Sequence, residues 1–220
     1  MSKFRIVLLA LSVILGSYAL ASTIAETGAL DRPVFPSDPA KIASSSAGEV
    51  RGWLQAVSPF RSDLETNHAL IAALRAIQSA KSGPGTAASA AITDARARVR
   101  QALSIAPYNA ELWLVLALLQ ARSDPRDPTL SEALKMAYFT APNDARLMPV
   151  RLDTATLFDA LADPDVKELA RGDVRLMVTR QPQLKTAVIS AYRRGSSLGR
   201  SFLEEAVQSI DPAFLPTLRS

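Results

Sequence analysis

Two stretches of this chain repeat one another. Ala102-Leu-Ser-Ile-Ala-Pro-Tyr-Asn-Ala110 and Ala137-Tyr-Phe-Thr-Ala-Pro-Asn-Asp-Ala145 align at an offset of 35 positions. A period of roughly 20–50 residues marks a fold made by stacking one supersecondary unit, because a single unit cannot bury its apolar face alone. In each copy an apolar-periodic run ends at Ala-Pro and is followed by Asn, a residue that stops one helix and caps the next. The repeat therefore predicts helical hairpins.

The rest of the chain agrees. Ala, Leu, Arg and Glu dominate, β-branched alternation is scarce, and no segment reads as a strand. The spacing predicts helices over Glu49–Val57, Asp63–Ala80 and Ala88–Ile105, then one capped by Asn109. A capping box, Thr129-Leu-Ser-Glu132, is expected to open another, Asn143 to cap one running to Leu161, and Asp163-Pro164 to start the next. Further helices are expected over Pro182–Arg194 and Leu198–Ile210. The run Leu112–Leu119 is apolar all round; even ten residues rise only about 15 Å, half a bilayer core, so it is expected at the centre of the domain.

Counting from Pro107 as the closing residue of one unit puts Trp113, Leu116 and Ala117 at the large, Leu and small positions of the next unit's first helix. Ala137 and Pro142 then fall at its second small position and its closing Pro. At these positions the chain resembles a tetratricopeptide repeat, with one unit over 110–144 and a degenerate one before it. Downstream the pattern fades, since Met148 and Arg151 stand where a bulky residue and Leu are expected. The resemblance implies an all-α fold of antiparallel hairpins, a short tetratricopeptide-like solenoid or bundle over 48–220. It also implies function through a groove, with Trp113, Leu116, Ala117, Ala137 and Pro142 packing the units. Among the aromatic candidates to line or support that groove, Trp53, Tyr108, Tyr138 and Tyr192 included, Tyr108 and Tyr138 are assigned to it together with Arg146.

Ahead of the helices lies a different kind of segment. Lys3 and Arg5 precede a run without charge from Ile6 to Ala25, an export signature. Either Ala19-Leu-Ala21 is a cleavage site and the mature protein is periplasmic, or the 20 residues are retained as an inner-membrane anchor. In both cases the basic residues stay cytoplasmic and the remainder faces the periplasm. Residues 26–47 carry Pro33, Pro36, Pro39 and Ser44-Ser-Ser46 with little periodicity, so a flexible linker is expected there. The organisation expected is thus a membrane segment over 1–25, a linker over 26–47 and a helical domain over 48–220. A membrane segment, a spacer and a few such hairpins together resemble the small accessory proteins of bacterial exopolysaccharide and O-antigen systems, which implies a role in cell-envelope polysaccharide synthesis or export.

Chemistry is hard to assemble from what remains. The 220 residues hold no Cys and one His, which excludes thiol nucleophiles and Cys-ligated metals and leaves His68 without a second His. Gly195-Ser-Ser-Leu-Gly199 matches the G-x-S-x-G elbow of hydrolases, but that elbow needs a preceding strand and a downstream His, and His68 is upstream. Glu204 and Glu205 are adjacent and diverge on a helix. Asp124 and Asp127 are too few for calcium. Lys3 and Arg5 supply two of the four net positive charges, and the arginines at 96, 98 and 100 have no interleaved aromatics, so nucleic acid is not an expected partner. No catalytic residue, metal or cofactor is assigned. The expected function is a non-catalytic scaffold for protein partners of the cell envelope; the alternatives are an enzyme acting on envelope glycans or peptides, and a purely structural spacer.

Overall fold

A computed structural model describes residues 3–29, 35–42, 62–81 and 85–220. Within them the chain is helical, with no strand: α1 Lys3–Ala29, α2 Pro39–Ile42, α3 Ser62–Lys81, α4 Thr86–Ile105, α5 Ala110–Ser123 and α6 Pro128–Thr140. They are followed by α7 Met148–Leu157, α8 Pro164–Thr179, α9 Lys185–Arg194, α10 Ser197–Ile210 and α11 Leu215–Arg219. The helix expected over 49–57, and Trp53 with it, lies outside the described residues.

Most boundaries follow from the caps. Asn109 accepts from the Leu112 amide at 3.0 Å and opens α5. Asp163 accepts from the amides of Asp165 and Val166 ahead of α8, with Pro164 in the first turn where its missing N–H leaves no bond unmade. Two expectations change. The cap of α6 is Asp127, which accepts from the Thr129 amide at 2.8 Å; Pro128 has helical φ built in, so the helix starts a residue before the expected Thr129–Glu132 box. Asn143 caps nothing. The chain turns instead through Asp144, whose carboxylate accepts from the Arg146 amide at 3.0 Å, and α7 begins only at Met148. It also ends early, at Leu157, where extended Phe158 leads into a 3-10 turn over Asp159–Ala162.

Consecutive helices pack in pairs, α3 with α4, α5 with α6 and α7 with α8. Across pairs, α5 lies against both α3 and α4, α7 against α9, and α8 against α10. This order explains the all-apolar run: Leu112, Leu114, Val115, Ala117 and Leu119 are fully buried because α5 is covered by three neighbours. Four of the five repeat positions pack: Ala117 and Ala137 have no exposed surface, Leu116 is buried, and Trp113 packs partly against the core with its indole N–H donating to the Pro107 carbonyl at 2.7 Å. Pro142, expected to pack with them, is exposed, because it lies in the turn beyond the end of α6. Small residues at the crossings let helices approach closely. Gly199 of α10 is the extreme case: a Cβ there would lie 2.1 Å from the Thr156 carbonyl oxygen of α7.

Part of the expected linker is folded. Phe35 and Ile42 are both in the core, the latter at the end of α2, and α2 touches α3 and α7. By contrast α1 turns its apolar side chains outward, with Phe4, Ile14 and Tyr18 all more than 60% exposed. Its side chains are described without a break from Phe4 to Leu20; the uncharged part, from Ile6, rises about 22 Å against the ~30 Å of a hydrocarbon core. Among the described residues no helix is long and apolar enough to cross a membrane. The anchor reading extends to Ala25, whose side chain lies outside them.

Candidate functional site

The two repeated turns meet. Tyr108, Asn109 and Ala110 of the first copy with Glu111 after it, and Thr140, Ala141 and Asp144 of the second with Arg146 and Leu147 after it, line one pocket of about 380 Å³ together with Thr66 and Asn67 of α3 and Phe35. The sequence cause is direct: each Ala-Pro turn ends a helix on the same side of the array, so turns 35 residues apart in sequence become neighbours. Tyr108 stands at the rim, 86% exposed. Arg146 sits between two carboxylates, bonded to Asp144 at 2.8 Å and 3.6 Å from Glu111. Burial raises the Asp144 carboxyl, but the bonds from the Arg146 guanidinium and amide outweigh it and hold it below the usual range. Among the described residues the lining carries Asp144, Glu111 and Arg146, with the Asn67 side chain as a buried polar group in its wall. Such a lining offers hydrogen bonds and charged groups of both signs, and suits a polypeptide segment.

Of the three residues assigned to a partner groove, Tyr108 and Arg146 are brought together here and Tyr138 is not. Tyr138 is 2% exposed, its ring 4.6 Å beneath the Arg151 guanidinium, and burial raises its phenol well above the ordinary value. It belongs to a buried polar assembly that the sequence did not announce. Arg151 has no exposed surface; its Nε and Nη2 donate to the two Asp173 oxygens at 3.1 and 3.0 Å, and Nη1 donates to the carbonyls of Ala137 and Ala141. The guanidinium therefore caps the C-terminal carbonyls of α6 while tying α7 to α8. Burial pushes the Asp173 carboxyl up, against the pull of Arg151. Only the misfit of an Arg at an expected Leu position pointed toward it.

The remaining sequence signals resolve into packing. Ser196 caps α10, accepting from the Gly199 amide at 3.1 Å and donating to the Thr156 carbonyl at 3.0 Å, so its hydroxyl is fully engaged. Gly195 ends α9, Gly199 is the close helix contact, and Ser197, the serine of the G-x-S-x-G pattern, is exposed in the first turn of α10. His68 is half-buried on α3 beside Arg75 and Arg98, and burial lowers its pKa. Glu204 bonds Tyr192 and Arg219, whereas Glu205 bonds Lys167 and Arg171 on another side. Asp124 and Asp127 each accept backbone amides at their turn. Among the described residues no group of three or more His, Asp or Glu is placed to hold a metal ion. No family model matches the chain, and no curated protein or solved structure is significantly similar to it.

Proposed function

We propose that the protein is a scaffold that binds an envelope protein partner through the face where the two repeated turns meet, held at the periplasmic side of the inner membrane by residues 1–25. The observation that carries the reading is the convergence on one pocket of Tyr108, in one copy of the repeat, and Arg146, directly after the other. Successive helix pairs packed in chain order support a short tetratricopeptide-like solenoid, the architecture that turns a repeated turn into a continuous surface. Glu204 and Glu205 are engaged in ion pairs with separate partners, which favours binding over turnover. For the membrane, Lys3 and Arg5 ahead of an outward-facing apolar helix favour insertion or export. A role beside cell-envelope polysaccharide enzymes is the setting we propose for the partner.

The test is capture from detergent-solubilised membranes, comparing the full chain with Tyr108→Ala and Arg146→Glu. A partner enriched by the wild type and lost from both variants is expected. Identical capture by all three, or a glycan- or peptide-cleaving activity that survives both substitutions, would defeat the reading.

A further inference from the structure

The helices α3, α5 and α7 form one trough, and the chain lays its own residues 35–42 along it. At one end Phe35, Asn67 of α3, Glu111 of α5 and Leu147, which precedes α7, line the pocket of the repeated turns together. At the other end Ile42, Ile77 of α3, Leu118 of α5 and Val150 and Leu157 of α7 line a small cavity of about 60 Å³. Both anchors are nearly inaccessible, at 3% and 5%, while Ser37, Asp38 and Lys41 between them are exposed. A segment whose two end side chains are buried while residues between them face solvent is placed as a bound peptide ligand is placed, with side-chain anchors filling pockets. Asp38 adds to the burial that raises the Asp153 carboxyl on α7, opposed by the Arg194 guanidinium 2.8 Å away.

We infer that the α3–α5–α7 trough is a peptide-binding surface occupied in the resting chain by residues 35–42, and that a partner segment with an aromatic and a branched aliphatic anchor about seven residues apart binds by displacing them. The inference rests on the scaffold reading above and gives that surface a gate. Because the resident segment is tethered, its effective concentration is high, and it lowers the apparent affinity for any competitor by the fraction of time the trough is open. Phe35-Pro-Ser-Asp-Pro-Ala-Lys-Ile42 is therefore the recognition pattern, written in the chain itself.

The chain has no Cys, so a spin label at Ser37→Cys reports on this segment alone. Added in excess, a synthetic peptide of residues 35–42 is expected to convert the label from a restricted to a mobile spectrum, and a scrambled peptide to leave it restricted. A label that stays restricted overturns the inference. In parallel, the fluorescein-tagged peptide is titrated into wild type and into the double variant Phe35→Ala/Ile42→Ala. The double variant is expected to bind it at least about tenfold more tightly, which is the removed self-occupancy. A folded double variant, judged by circular dichroism, with unchanged or absent peptide binding overturns the inference as well; if that variant does not fold, the label decides. Failure here leaves the scaffold reading standing wherever partner capture still depends on Tyr108 and Arg146, and loss of that dependence defeats the scaffold reading independently of the label.

Discussion

Gly172 and Gly199 are one residue type under two constraints. A Cβ at Gly172, inside α8, meets nothing within 4 Å, so Gly172→Ala removes only the backbone entropy of a helical glycine. A gain of about 0.5–1 kcal/mol is expected in denaturant unfolding. At Gly199 the added carbon collides with α7 backbone, so Gly199→Ala is expected to cost about 1–3 kcal/mol. Equal effects of the two substitutions would show that α7 and α10 do not cross as described. The Arg151–Asp173 pair makes a sharper test. Removing one partner leaves a buried charge, so Arg151→Met is expected to cost about 3–5 kcal/mol, and Arg151→Met/Asp173→Leu less than the single change. A single variant within about 1 kcal/mol of wild type would contradict the burial of the pair. At this scale the sequence was least legible. A glycine that touches a backbone and one that touches nothing read alike, and the partner of Arg151 sits 22 positions away on another helix.

Helix existence was legible and helix ends were less so. Leu70, Leu74 and Ile77 on α3, or Leu130, Leu134 and Ala137 on α6, repeat at a spacing that only a helix can bury on one side, and all are buried. Ends depend on which of several polar residues wins the cap, and at α6 Asp127 wins because Pro128 commits the next residue to the helix. Asp163 provides the pH test for this scale. Burial raises its carboxyl, but the Lys135 ammonium and the amides of Asp165 and Val166 outweigh this and hold it below its usual range. A carboxyl depressed in the folded state contributes stability that is present above its unfolded pKa of about 3.9 and is lost as pH falls through the folded value. The melting temperature of the wild type is therefore expected to fall more between neutral pH and pH ~3 than that of Asp163→Asn. Parallel curves would remove the ion pair and cap from the account.

At the scale of the molecule, the repeat is the feature whose meaning grew. Read as sequence it stood for helical hairpins; in three dimensions its two turns, together with α3 and Phe35, enclose the pocket on which the proposed function rests. Tyr108 and Arg146 were accessible to this argument because they flank the capping turns, whereas Tyr138 lies within α6 on its buried face. Residues 35–42 were not accessible to it, since Pro-rich composition resembles a spacer whether or not a Phe and an Ile at its ends find pockets. The N-terminal segment belongs to this scale too. Intact mass of the protein purified from membranes is expected to show either cleavage after Ala21 or retention from Met1, and full-length protein confined to the soluble cytoplasm would contradict both. The central claim is that a partner sits over the meeting point of the two turns. A photo-crosslinking amino acid placed at Tyr108, on the rim, and at Thr179, exposed at the end of α8, tests it in living cells. The account predicts one discrete higher-mass adduct from position 108, abolished by Arg146→Glu, and none from position 179; equal adducts from both positions, or none from 108, would contradict it.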